Sequence, residues 1–199
     1  GALEEVVYNL AGVLIGKATF LHLFLWHFVR DLRASFFFAF CGRYRQALQA
    51  LRSALELLFA GIYFQDLRDG GDKGALEKAW ERWLKGSVES FRKGLKVALK
   101  KKLVDQGVRK LVGRLYGEFS RAVHSLVRDE YELIVERDKT PARPASAFYE
   151  PEFLKEWFKL LLEVVCVFDT ILRALPYQLD RETLKWVGLF EKLLGELRR

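Results

Sequence analysis

The chain of 199 residues has a mass of 23.1 kDa, which is enough for one globular domain with a buried core. Hydrophobic residues make up 51% and charged residues 30%, which excludes an intrinsically disordered chain, and two cysteines exclude a disulfide scaffold or a multi-cysteine metal site. The formal net charge is +7.

The positive charge is concentrated in one quarter of the sequence. Residues 81–128 contain thirteen Lys or Arg and four Asp or Glu, so this stretch carries +9, whereas the rest of the chain carries −2. A localised basic region favours an anionic partner such as RNA or a nucleotide. The alternative interpretation is a solvated helix face without a ligand.

Composition also indicates the environment of the protein. One asparagine and five glutamines among many charged residues are typical of thermophile proteins. The longest uncharged run of the apolar N-terminal segment, residues 18–29, is too short to span a bilayer, so we expect a cytoplasmic protein without membrane association. No glycine-rich phosphate loop, H-E-x-x-H or C-x-x-C motif is present, so we expect neither a cofactor nor a metal.

Hydrophobic periodicity predicts an all-α protein, a single helical domain over residues 1–199. The only extended candidate is 131–135, and an irregular segment with prolines at 138–151 separates a core bundle over 3–128 from C-terminal helices over 152–199. The predicted helices are 3–32, 34–66, 75–85, 87–104, 108–128, 152–174 and 180–197.

The predicted helix over 87–104 is amphipathic and basic. Its apolar stripe includes Phe91 and Leu95, and lysines fall outside this stripe. Trp80 and Trp83, on the preceding helix, fit either base stacking or, more commonly, packing. The residues that we predict to bind nucleic acid are Lys93, Lys96, Lys100, Lys101, Lys102, Lys110, Arg114 and Arg121.

The predicted helix over 108–128 has a line of small and polar residues about half a turn from its apolar stripe. This line contains Gly113, Gly117, Ser120 and His124. Glycine inside a helix costs about 1 kcal/mol relative to alanine. Two glycines on one line therefore predict the close approach of another helix, either within the bundle or across the two-fold axis of a homodimer.

A polar pair borders the apolar stripe of the predicted helix over 34–66. Arg52 and Glu56 are four residues apart and can form an ion pair. We expect them to meet Ser120 and His124 of a neighbouring helix in one polar cluster. The alternative is that Arg52 points to water and Glu56 only pairs with it. His124 itself is either a buried hydrogen-bonding group or an exposed group at a phosphate site.

Two segments resemble HEPN-type helical bundles, in particular relatives from abortive-infection and defence systems. The first is 42–56, with the sequence GRYRQALQALRSALE, and the second is 115–125, with the sequence LYGEFSRAVHS. The resemblance covers about residues 36–128. It implies a helical bundle that is commonly dimeric and often associated with RNA.

The resemblance also implies where catalysis would require an arginine. Active HEPN ribonucleases carry an arginine and a histidine separated by four to six residues. His124 matches the histidine, but positions 117–119 hold no arginine, while Arg121 is too close and Arg114 too far, although either is a candidate substitute. We therefore expect a non-catalytic or weakly catalytic HEPN-like protein that binds RNA or another phosphate-bearing partner. The alternatives are a purely structural dimerisation module and an active metal-independent ribonuclease that uses His124 with a non-standard arginine.

Overall fold

The computed structural model describes residues 19–135 and 151–175, and of residues 19, 122–135 and 152 the backbone alone. All regular structure in these ranges is helical, which confirms the predicted all-α class. The predicted helix over 180–197, most of the first helix before residue 19 and the irregular segment before residue 151 lie outside the described residues. The helices are α1 (Thr19–Phe40), α2 (Tyr44–Asp69), α3 (Lys73–Leu84), α4 (Glu89–Lys100), α5 (Gln106–Val135) and α6 (Pro151–Ala174).

Two predicted boundaries are wrong. α1 continues past residue 33 to Phe40, and the chain turns at Gly42, where φ is +69° and the Arg43 amide donates to the Phe38 carbonyl at 2.8 Å. This is a glycine helix terminus, which arginine at position 33 does not provide. The extended candidate over 131–135 is the last part of α5, because neither glycine nor proline occurs over residues 118–130 to end the helix before it.

α2 is the central helix of the described bundle, and it packs against all five other helices. Its inward face includes Leu51, Leu55, Leu58 and Phe59, which are fully buried. By length and composition α2 is also the one described helix that is apolar enough to cross a membrane, and more than half of its most apolar window is buried inside the bundle. Burial of this kind is normal for the core helix of a bundle.

Two glycines set the distance between helices at the centre of the bundle. A Cβ atom on Gly94 of α4 would lie 1.8 Å from the carbonyl oxygen of Phe59 in α2, and a Cβ on Gly61 would lie 2.7 Å from Cβ of Phe24 in α1. Only glycine permits backbones to approach so closely. Gly94 therefore fixes α4 directly on the backbone of α2.

Aromatic side chains hold α3 against α1 and α2. Trp80 and Trp83 contact the rings of Phe24 and Phe64, with centroid distances of 5.2 to 6.3 Å, in a cluster separate from the main core. In the structure the two tryptophans therefore have the packing role that we considered beside base stacking. α6 is joined to the bundle by Trp157, whose Nε1 donates to the buried Ser35 hydroxyl at 2.9 Å.

Candidate nucleic-acid interface

A group of exposed basic residues lies on α4, on the turn that follows it and at the start of α5. Arg92, Lys96, Lys100, Lys102 and Lys110 are exposed, and none of them has a carboxylate within 4.0 Å in the part of the chain that the structure describes. We call these five residues the basic surface. Arg109 is exposed as well, but its Nη1 donates to Gln106 Oε1 at 3.4 Å, so we leave it out of this set. Arg121 is also exposed and lies eleven residues, or about 16 Å, beyond Lys110 along α5.

Arg92 is the member of the basic surface that the sequence analysis missed. It lies one helical turn before Lys96 and two turns before Lys100, so the three side chains form one line about 12 Å long on α4. The four-residue spacing of Arg92, Lys96 and Lys100 in the sequence predicts this line.

Two of the predicted nucleic-acid-binding lysines are engaged by carboxylates. Lys93 Nζ lies 2.7 Å from Glu89 Oε1 and above the ring of Tyr63, and Lys101 Nζ lies 2.7 Å from Asp66 Oδ1. Hydrogen bonding to Glu89 raises the pKa of Lys93 above its ordinary value. These partners neutralise much of the two charges locally, so Lys93 and Lys101 contribute less to the attraction of an anion than their number in the sequence indicates.

Arg114, one of the two candidate catalytic arginines, is bound between two carboxylates. Its Nη1 lies 2.8 Å from Glu118 Oε1 within α5, and its Nη2 lies 2.6 Å from Glu163 Oε1 of α6. The hydrogen bond to Glu163, followed by that to Glu118, raises the pKa of Arg114. Arg114 therefore joins α5 to α6 in this arrangement, and a phosphate would have to compete with both carboxylates for its guanidinium.

Lys102 has an unusual backbone conformation at the centre of the basic surface. Its φ is +57°, and it is the one non-glycine residue with positive φ in the described ranges. The Leu103 amide donates to the Ala98 carbonyl at 2.8 Å and the Lys102 amide to the Leu99 carbonyl at 3.1 Å, which is the helix-terminating pattern that normally has glycine at this position. A lysine here costs about 1 kcal/mol relative to glycine.

Arg52 and Glu56 do contact another helix, and the residue that they meet there is Tyr116, which the sequence did not predict. Arg52 Nε donates to Glu56 Oε1 at 3.0 Å, Arg52 Nη2 donates to the Tyr116 hydroxyl at 2.9 Å, and that hydroxyl donates to Glu56 Oε1 at 3.0 Å. The ring of Phe91 stacks on the ring of Tyr116, with 4.6 Å between the two ring centroids. The alternative in which Arg52 points to water without a partner on another helix is therefore wrong.

Charge within this cluster is balanced. Burial, followed by the negative charge of Glu56, raises the pKa of Tyr116 above its ordinary value. Burial acts to lower the pKa of Arg52, but the hydrogen bond to Tyr116 and the charge of Glu56 outweigh it, so its pKa is raised. The three side chains satisfy one another across α2 and α5, which is the arrangement of a structural connection between helices.

Ser120 is not a hydrogen-bonded member of this cluster. It is half-buried and makes no side-chain hydrogen bond within the described ranges, whereas Tyr116, one turn earlier on α5, contacts both Arg52 and Glu56. His124 lies in the helical backbone of α5, and its side chain lies outside the described residues. A longer polar side chain on the predicted line was the signal for Tyr116, since positions 116, 120 and 124 share one face.

The two glycines on that line do not meet another helix within the described bundle. A Cβ atom built on Gly113 or Gly117 finds no atom of the described residues within 4 Å. The described residues therefore contain no close helix contact at these two positions, while the side chains of residues 122–135 and the helix predicted over 180–197 lie outside them. Contact with a second copy of the chain stays a prediction.

No known protein-family profile matches this sequence, and no curated protein or solved structure is significantly similar to it.

Proposed function

We propose that this protein is a HEPN-like helical bundle that binds RNA through its basic surface without cleaving it. The observation that carries the proposal is the set of five exposed cations on α4, its following turn and the start of α5, none with a carboxylate partner among the described residues. The carboxylates near this surface bind basic residues that do not belong to it: Glu89 binds Lys93, Asp66 binds Lys101 and Glu118 binds Arg114. The uncompensated charge is therefore concentrated on one continuous stretch of chain.

Packing makes these charges available together. Gly94 fixes α4 against α2, so the line of Arg92, Lys96 and Lys100 is presented on a rigid helix. Phosphates of one nucleic-acid strand repeat at intervals of a few ångströms, and a line about 12 Å long can contact several of them. Recognition of this kind follows the backbone of the strand and carries little sequence information.

The strained backbone of Lys102 also supports a role for its charge. Glycine at this position would be more favourable for the fold, yet the residue present adds a cation to the basic surface. A locally unfavourable residue at a proposed binding surface is what we expect where function and stability compete.

Binding without cleavage is proposed because the ribonuclease arrangement is incomplete. The spacing that the HEPN resemblance requires is absent, and Arg114 is held by Glu118 and Glu163. The second candidate function is a ribonuclease that uses His124 with Arg121, which is exposed and has no carboxylate partner in the described ranges. Metal-free incubation with RNA separates the two: cleavage that His124→Ala abolishes would establish the nuclease and contradict our proposal.

A fluorescence-anisotropy titration with single-stranded RNA at low salt tests the binding. We expect the combined substitution of Lys96, Lys100 and Lys102 by glutamine to weaken binding at least tenfold. The matched control replaces three exposed lysines elsewhere, Lys73, Lys155 and Lys159, and has the same change in net charge. Equal loss in both variants would mean that net charge, and not the basic surface, attracts the RNA.

A dimerisation module is a third candidate, and one observation favours it. Phe36, Phe37 and Phe40 near the end of α1 and Phe153 at the start of α6 are each about half exposed. Because a phenylalanine buries about 150–250 Å² when fully covered, these four rings offer roughly 400 Å², about half of what each partner buries in a stable interface. A dimer in light scattering that Phe37→Lys converts to a monomer with unchanged RNA binding would support this role beside the proposed one.

A further inference from the structure

A small half-open cleft lies between α2, α3 and the first turn of α4. Its volume is about 180 Å³, which is room for about six waters or for a phosphate group with part of its hydration. The polar side chains that line it are Tyr63, Lys78, Arg82, Glu89, Ser90 and Lys93.

The cleft has an excess of positive charge. Lys78, Arg82 and Lys93 contribute +3 and Glu89 contributes −1, so the net charge of the lining is +2. Glu89 is shared between two of these cations, at 2.7 Å from Lys93 Nζ and 3.2 Å from Arg82 Nη1. Lys78 is exposed and has no carboxylate partner within the described ranges, so its ammonium group is available to a ligand.

Ser90 offers a hydroxyl group to the cleft. The residue is only 3% exposed and lines the cleft. Its oxygen is not among the enclosed side-chain atoms without a hydrogen-bond partner in the described ranges, so it keeps contact with the open cleft, where a ligand can accept a hydrogen bond from it. Ser90 also lies in the first turn of α4, where the helix dipole adds positive potential.

We propose that this cleft binds a terminal phosphate monoester of the RNA strand that lies on the basic surface. A monoester carries a charge close to −2 at neutral pH, which matches the +2 of the lining, whereas an internal phosphodiester carries −1 and has a nucleoside on both sides. Three oxygens of the terminal group can accept hydrogen bonds from Lys78, Arg82 and the Ser90 hydroxyl.

The strand would leave the cleft along α4. Lys93 lines the cleft, Lys96 follows it after three residues and Lys100 after seven, which places the three side chains on one side of the helix over about 10 Å. This inference rests on the proposed RNA binding, because the basic surface provides the path for the rest of the strand. It adds an end-specific contact that the basic surface by itself does not provide.

The test compares one RNA oligonucleotide in three forms: with a 5′-phosphate, with a 3′-phosphate, and with hydroxyl groups at both ends. We expect one phosphorylated form to bind about tenfold more tightly than the hydroxyl form at equal salt, and the form that does so identifies the end that the cleft accepts. Lys78→Gln should abolish this difference and leave the affinity for the hydroxyl form unchanged. Lys73→Gln, on the same helix but outside the cleft, is the matched control and should keep the difference.

Ser90→Ala is the second variant, and it separates ligand binding from folding. Because the Ser90 hydroxyl has no hydrogen bond to lose among the described residues, the thermal stability of the free protein should be unchanged or slightly higher, while the preference for the phosphorylated end decreases. A clear loss of stability would mean that the hydroxyl serves the fold, and would contradict our assignment of it to a ligand.

The outcomes distinguish this inference from the proposed function. Equal binding of all three RNAs overturns the phosphate cleft and leaves RNA binding intact. If no RNA binds even at low salt, the proposed function fails, and with it the end-specific RNA contact. Inorganic phosphate then tests the cleft alone: a melting temperature that phosphate raises at constant ionic strength in the native protein but not in Lys78→Gln would retain an anion site, and no such difference would remove it.

Discussion

The two sides of α4 have opposite requirements. On the side that faces α2, Gly94 brings the helix into backbone contact with Phe59, and any larger residue collides with a carbonyl group. On the other side, Lys96 and Lys100 are exposed and make no ion pair with the described residues. The position of the charges therefore depends on a residue without a side chain, because the buried contact of Gly94 determines which way the basic side of α4 faces.

The largest effect is expected on the buried side. Gly94→Ala places a methyl group 1.8 Å from the Phe59 carbonyl oxygen, so α4 must move away from α2. We expect the free energy of unfolding, measured by chemical denaturation, to fall by about 3 kcal/mol or more.

Gly113→Ala is the control for this prediction. The same substitution at Gly113 meets no described atom within 4 Å and replaces glycine inside α5, so it should stabilise the protein by about 0.5–1 kcal/mol. Opposite signs for the two substitutions would confirm the contrast between a contact glycine and an open one. A stabilised Gly94→Ala variant would contradict the backbone contact.

A smaller effect is expected at the connection between α2 and α5. Tyr116→Phe removes the hydroxyl that accepts from Arg52 and donates to Glu56. Because both partners are only partly buried and still bind each other, we expect a loss of about 1–2 kcal/mol in the free energy of unfolding. RNA affinity should be unchanged, since none of the three side chains belongs to the basic surface.

The same hydroxyl predicts a dependence on alkaline pH. The pKa of Tyr116 is raised in the folded protein, so the protonated phenol is favoured there. Its contribution to stability is complete below the ordinary tyrosine pKa of about 10 and is lost as the pH rises through the higher folded value. The native protein should therefore lose more stability above about pH 10 than Tyr116→Phe does, and parallel pH profiles would contradict this account.

Lys102→Gly is expected to change both the stability of the fold and the affinity for RNA. Glycine relieves the positive φ at the end of α4, so the free energy of unfolding should rise by up to about 1 kcal/mol. The same change removes a cation from the basic surface and should weaken RNA binding severalfold. Higher stability together with unchanged RNA affinity would exclude Lys102 from the interface.

Much of the fold follows from patterns in the sequence. The helical period predicted every helix that the structure describes, and the basic stretch was visible from charge counting alone. Gly94 was also within reach, because it lies between Phe91 and Ala98 on the buried line of α4. The distance between two helices, however, is a property of their packing, and the sequence directed attention to Gly113 and Gly117, which have no close contact among the described residues.

The candidate site was predictable to a similar extent. The spacing of Arg52 and Glu56 indicated a polar contact with another helix, but the length of the Tyr116 side chain decided which residue makes it. Charge counting cannot distinguish Lys101 from Lys100. Asp66 binds Lys101, whereas no described carboxylate binds Lys100. Ion pairing between distant segments appears only when the chain is folded.

The salt dependence of RNA binding measures how many phosphates contact the basic surface. Each phosphate contact releases counterions, so the logarithm of the association constant for single-stranded RNA falls linearly with the logarithm of salt concentration, with a slope of about −0.7 per contact. The combined substitution of Lys96, Lys100 and Lys102 by glutamine should reduce the magnitude of this slope by about 2, while the control substitution of Lys73, Lys155 and Lys159 leaves it unchanged. An identical slope in the native protein and both variants would contradict the account.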